Sequence, residues 1–200
     1  MTESEWLACT DAKALLEFVQ GKVSDRKMRL FAVACSRQLW RSAVREGEVA
    51  LEIAELYSDG HADEQQRAVV AADARRAYHG ACYFLDVFLG AVLAVEKDAA
   101  VAASRAAAWD WSGYRPNEWH QFLPLLRHIF GNPFRSNPAP DYWPSSVLHL
   151  ASALYDGQDC GFALHDALIE TGHAELAEHF RQEQAHPKGC WPLDVILGKS

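Results

Sequence analysis

Residues 25–44, "DRKMRLFAVACSRQLWRSAV", fit one regular structure well. At 100° per residue, Met28, Phe31, Ala32, Cys35, Leu39 and Ala43 fall on one arc. Arg26, Arg29, Arg37, Arg41 and the following Arg45 fall on the opposite arc. The pattern predicts an amphipathic helix with Cys35 at the centre of its buried face, and such a face must be covered by other elements. Neighbouring segments continue in the same period. "AKALLEFVQ" is a short helix that Thr10 or Asp11 would cap and Gly21 would stop. "EVALEIAELYSDG" is another, ended at Asp59-Gly60. Residues 63–96 contain no proline and predict one long helix, or two broken near Gly80 or Gly90. "DAAVAASRAAAW" is rich in alanine, the best helix former. "EWHQFLPLLRHIF", "SSVLHLASALYDG", "FALHDALIETG" and "AELAEHFRQE" complete the series, with "PLDVILG" as a last turn. The one β-like run, "VILG", is too short to build a sheet. The expected fold is all-α: a single globular domain over residues 1–200, about eight to ten helices, with the C-terminal segment packed back on the body. A candidate subdomain boundary lies in the connection 131–144, which holds four of the eight prolines. Its Phe134, Tyr142 and Trp143 predict a packed connection, because a flexible linker is poorer in aromatics.

Half of the 200 residues are hydrophobic, which is enough to build a core. The formal charge of −8 makes nucleic acid and anionic membrane poor partners. No apolar run approaches the ~20 residues that span a bilayer. The opening "MTESEWLACTDAK" lacks a signal-peptide core, so the expected location is the cytoplasm. The five cysteines, at 9, 35, 82, 160 and 190, are widely spaced and form no CxxC; they read as reduced, mostly buried thiols.

Charge is unevenly distributed. Residues 22–45 hold seven basic residues and one acid, whereas residues 46–64 hold seven acids and no lysine or arginine. Two consecutive antiparallel helices would pair these charges, with Arg37 and Arg41 facing Glu48, Glu52 or Glu55. Exposed pairs of this kind contribute only ~0–1 kcal/mol each, so they would guide register more than stability. The alternative is a basic stripe that binds phosphate or an acidic partner. Trp109, Trp111, Tyr114 and Trp119 form an aromatic loop with Asp110, Arg115 and His120 among them. Such a loop reads as a lid over the core, or else as a stacking surface for a ligand. Catalytic templates are missing: there is no GxSxG and no HExxH. "LGKS" imitates a P-loop tail but lacks the earlier glycine. His128, His149 and His165 sit within helical patterns and read as polar residues at core edges. His165 and Asp166, adjacent on a helix, are expected to point in different directions. No catalytic residue is assigned.

The C-terminal "HFRQEQAHPKGCW" gathers two histidines and a cysteine within thirteen residues. His173, His179, His186 and Cys190 are zinc-ligand types. Their spacings match no common structural zinc pattern, and no close pair such as CxxC or HxxxH nucleates a site. The leading reading is a docking tail: Gly189 permits a reversal, and Trp191, Leu193, Val195, Ile196 and Leu197 are too apolar to remain in water. The alternative is a zinc site built on His179, His186 and Cys190.

The opening "EWLACTD…LLEFVQGKVSDRKMRLFAVAC" resembles that of a family of uncharacterised planctomycete proteins. The resemblance continues at "LLRHIFGNPFR", at "LASALYDG" and at the ending "HPKGCWPLDVILGK". It implies no assigned activity, cofactor or catalytic residue. Members often carry more cysteines around position 35; here Val33 and Ser36 stand in two of those places, which weakens a metal or redox reading of that helix. His186, Gly189 and Cys190 match the family ending. The expected function is that of a non-catalytic cytoplasmic protein-interaction or scaffold protein, with a protein partner and no cofactor. The alternative is a small zinc-binding protein or zinc-dependent enzyme.

Overall fold

Short polar side chains open the first helices, as the physics of unpaired N–H groups requires. Thr2 and Glu5 form a reciprocal capping box at the start of α1 (Glu3–Ala8): the Glu5 N–H donates to Thr2 Oγ1 at 3.2 Å and the Thr2 N–H to Glu5 Oε2 at 2.7 Å. Asp11 accepts from the N–H groups of Lys13 and Ala14 and opens α2 (Ala12–Val19). Ser24 does the same for α3 (Asp25–Leu39) through the Lys27 N–H. The computed structural model describes residues 1–39, 45–80, 96–108, 122–135, 139–182 and 186–199. Among these residues it contains eleven helices and no strand. The count exceeds the sequence expectation partly because the capping box stabilises a six-residue α1 that periodicity alone does not show. Arg41, residues 81–95 and the whole aromatic loop, Trp109 to His120, lie outside the described residues.

The chain divides into two compact units, Met1–Phe134 and Arg135–Ser200, and the division falls within the proline-rich connection. The first unit continues with α4 (Arg45–Ser58), α5 (Glu64–Gly80), α6 (Ala99–Ala108) and α7 (Leu123–Phe130). The central element is α3, which packs on α4, α6 and α7. Phe31, Ala32 and Cys35 join Trp6, Leu15, Leu126 and Ile129 in one core. On its other side Val33 meets Ala50, Leu51, Ala54, Ala71 and Ala74. Residues 28–36 are therefore buried all round, and the arginine arc is not simply a solvated face. Arg29 is 4% exposed and donates to the carbonyl oxygens of Glu96 and Lys97. Burial, first, and the nearby Arg67 cation lower its pKa. Arg37 stays at the surface and pairs with Glu55 at 2.9 Å, the predicted partnership between adjacent helices. Burial drives the Cys35 thiol well above its usual pKa, so it is a protonated packing residue.

Arg127 on α7 ties down α1. Its guanidinium donates to the carbonyl oxygens of Trp6, Leu7 and Cys9 at 3.1, 3.1 and 2.8 Å. These groups are otherwise the orphaned acceptors of a helix end. Bonds from charged donors contribute ~1.5–3 kcal/mol each and are not additive, so Arg127→Met is expected to cost about 3 kcal/mol. Urea unfolding followed by intrinsic tryptophan fluorescence checks this; a loss under ~1 kcal/mol would show that the three carbonyls find water instead.

Gly131 ends α7 at φ 67°, and the chain turns through Asn132-Pro133. Phe130 packs against Phe31 with ring centroids 5.4 Å apart. Phe134 departs from expectation: it is not inserted into the core but stacks on Phe18, centroids 5.4 Å apart, and remains 40% exposed. A stacked aromatic pair adds ~0.5–1.5 kcal/mol, so Phe134→Ala is expected to cost about 1 kcal/mol. A loss near the ~3–5 kcal/mol of a buried phenylalanine in the same denaturation would contradict this placement.

The second unit is built from α8 (Ser145–Tyr155), α9 (Gly161–Glu170), α10 (Ala174–Gln182) and α11 (Trp191–Leu197). α9 and α10 form a helical hairpin, and α11 folds back onto α8. Val147, Leu154, Leu164, Leu168, Phe180, Leu193 and Ile196 make its core. "VILG" is accordingly helical, and the C-terminal segment packs back as its apolar residues required. No helix of the described residues is long and apolar enough to cross a membrane.

Candidate metal centre

The packing of α10 fixes the first ligand. Ala177 and Phe180 face the core, and His179 sits half-buried in the last turn. The second and third come from the segment that returns to α11. The Cys190 N–H donates to Pro187 O at 3.0 Å, closing a tight turn in which Gly189 adopts φ 87°. A side chain at 189 would be strained there. This reversal places Cys190 at the cap of α11, fully buried, with His186 on the same side of the turn. Burial of Leu193 and Ile196 holds α11, and hence Cys190, in place.

The outcome is a convergence of ligand atoms. Cys190 Sγ lies 3.2 Å from His179 Nε2 and 3.8 Å from His186 Nδ1. The three ligand atoms all lie within 4.8 Å of one another. Tetrahedral zinc, with bonds of ~2.3 Å to sulfur and ~2.0–2.1 Å to nitrogen, puts S and N about 3.6 Å apart. The two observed separations straddle that value, so the donor set fits the ion in both type and spacing. A thiol has a single proton, so its S–H can serve only one of the two imidazole nitrogens. A shared cation would satisfy both nitrogens and the sulfur together. Two neutral imidazoles and one thiolate form a borderline-soft set, suited to zinc rather than to magnesium or calcium.

Aromatic residues enclose the cluster. Ring centroids of His179 and His186 are 5.3 Å apart, with Phe180 at 5.1 Å from His186 and Trp191 at 6.0 Å from His179. Gly161, the first residue of α9, closes one side: a Cβ there would sit 3.7 Å from His186 Nε2.

His173 does not join this group. It precedes α10, six positions before His179, so a helix would turn the two about 120° apart, and its ring packs on Trp143 with centroids 4.7 Å apart. His128 is buried on α7, whereas His149 is exposed. His165 and Asp166 correct the sequence expectation: their side chains meet, Nδ1 to Oδ1, at 2.9 Å. The short aspartate arm reaches its neighbour across the helix surface, with Asp166 largely in solvent. Cys160 donates to Leu150 O at 3.3 Å, and burial, then Asp159, raises its pKa, as befits a thiol that stays protonated.

No family model matches the chain. Comparison with curated proteins and with solved structures also yields no match.

Proposed function

We propose that this chain is a non-catalytic zinc-binding protein in which His179, His186 and Cys190 hold one structural zinc ion. The carrying observation is the approach of two imidazole nitrogens, from α10 and from the turn, to a single buried sulfur. When bound, zinc supplies a cross-link between α10 and the cap of α11. α11 has only seven residues, too few to persist on its own. Its place depends on Leu193, Ile196 and whatever anchors Cys190. Zinc takes four donors, so the fourth comes from outside these three. Structural sites are closed, whereas catalytic ones keep a position open to substrate, and the full burial of Cys190 favours the structural role over the enzyme alternative. The clamped second unit then serves as a rigid platform for a protein partner. A reducing, cytoplasmic setting belongs to the same reading, because the site needs Cys190 as a thiolate. His186, Gly189 and Cys190 are also residues shared with the planctomycete family's ending, so a site common to that family is part of the proposal.

Elemental analysis of the purified full chain tests it. The expected result is near one zinc per chain, strongly reduced in Cys190→Ser and in a His179→Ala/His186→Ala double variant, while His149→Ala retains full zinc. Metal-free wild-type protein that also refuses added Zn²⁺ would leave the cluster as packing alone.

A further inference from the structure

We propose that the outer face of α9 docks a basic amphipathic helix of a partner protein. The inference does not depend on metal at the zinc site. Between residues 136 and 180 every Asp, Glu, Lys or Arg is a carboxylate; no lysine or arginine occurs. On α9 the inward face carries the fully buried Leu164 and Leu168. The outward face carries Phe162, 70% exposed, and Ile169, 48% exposed. Seven positions at 100° per residue bring these two within about 20° of one azimuth, so they form one stripe. Asp166 and Glu170 follow along one side of the stripe on the same helix, both in solvent, and exposed Asp159 precedes the helix. A phenylalanine held this far out of the core costs solvation without adding packing, and single exposed apolar residues are ordinary. Here, however, two large ones share an azimuth, beside carboxylates and in a segment that holds no lysine or arginine.

That combination selects the occupant. Apolar anchors at helical spacing match the anchors of an amphipathic helix. The carboxylates favour lysine or arginine beside those anchors and repel nucleic acid and anionic lipid. Asp166 already meets His165 Nδ1 at 2.9 Å, but its side chain is 78% exposed and stays accessible to an incoming cation.

The test uses the full chain and a fluorescent synthetic helix with leucine at i, i+3, i+4 and i+7 and lysine elsewhere. A scrambled peptide of the same composition keeps the charge and loses the stripe. Anisotropy should show the amphipathic peptide binding at least about tenfold tighter than the scrambled one. Phe162→Ser/Ile169→Ser should weaken binding by about tenfold or more, and Asp166→Lys should weaken it several-fold. Circular dichroism and melting of these exposed variants should match wild type. Equal binding of the two peptides, or binding unchanged in the variants, would overturn the proposal. So would sedimentation showing wild-type dimers that Phe162→Ser dissociates, because the occupant would then be a second copy of the chain.

Discussion

EDTA is expected to lower the melting temperature of the zinc-loaded chain, and one equivalent of Zn²⁺ to restore it. An ion that binds only the folded form stabilises it by RT ln(1 + [L]/Kd), which is ~4 kcal/mol at a thousand times the Kd. That is a large share of the 5–15 kcal/mol that holds a typical domain together. Removing the ion leaves two imidazoles and a thiol facing one another around Cys190, with His179 Nε2 3.2 Å from the sulfur. The metal-linked share of stability should therefore vanish in Cys190→Ser, whose melting should no longer respond to EDTA or to zinc. Differential scanning calorimetry reads both effects. Identical melts with and without EDTA in a zinc-loaded wild-type sample would show that the ion contributes nothing to the fold.

Part of this architecture could be read directly from the residues. The arc through Phe31, Ala32 and Cys35 predicts α3 and its buried face, and Arg37 meets Glu55 as adjacent helices of opposite charge should. What one-face periodicity misses is that α3 is covered on its other side too. A buried arginine looks like a solvated one in sequence; the carbonyls of residues 96 and 97 and the ring of Tyr57 accommodate Arg29 in the interior. The Thr2…Glu5 box was not read from the sequence, although three positions separate an N-cap hydroxyl from the glutamate that answers it; helical periodicity alone passes over so short an element. The placement of Phe134 leaves no such pattern: an aromatic beside a proline turn can insert or stack, and the position of Phe18 decides between them. For the metal site, residue types were visible while the grouping was not. The gap from His179 to His186 fits no standard zinc motif; the turn around Gly189 at φ 87° brings the ligands together. The same geometry leaves His173 against Trp143, although composition alone ranks it equal to the others.

Leu193→Ala is expected to be among the most damaging substitutions in the second unit, at about 2–5 kcal/mol. Leu193 is fully buried, and it anchors α11 three residues after Cys190. The deletion acts twice: it opens a cavity in the core, and it loosens the helix that presents the thiol. Zinc affinity should fall with stability, and saturating zinc should recover part of the lost melting temperature through the same linkage. Isothermal titration of Zn²⁺ into metal-free wild type and variant measures the coupling. A variant that loses stability with unchanged zinc affinity would separate the docking of α11 from the site.

X-ray absorption at the zinc edge of the purified full chain counts and identifies the atoms bound to the ion, and so tests the assignment of Cys190 and the two histidines as its ligands. One sulfur at ~2.3 Å and imidazole nitrogens at ~2.0–2.1 Å are expected from that assignment, with the sulfur shell lost in Cys190→Ser. A shell of oxygen and nitrogen alone in the wild type, or a sulfur shell that survives in Cys190→Ser, would contradict it.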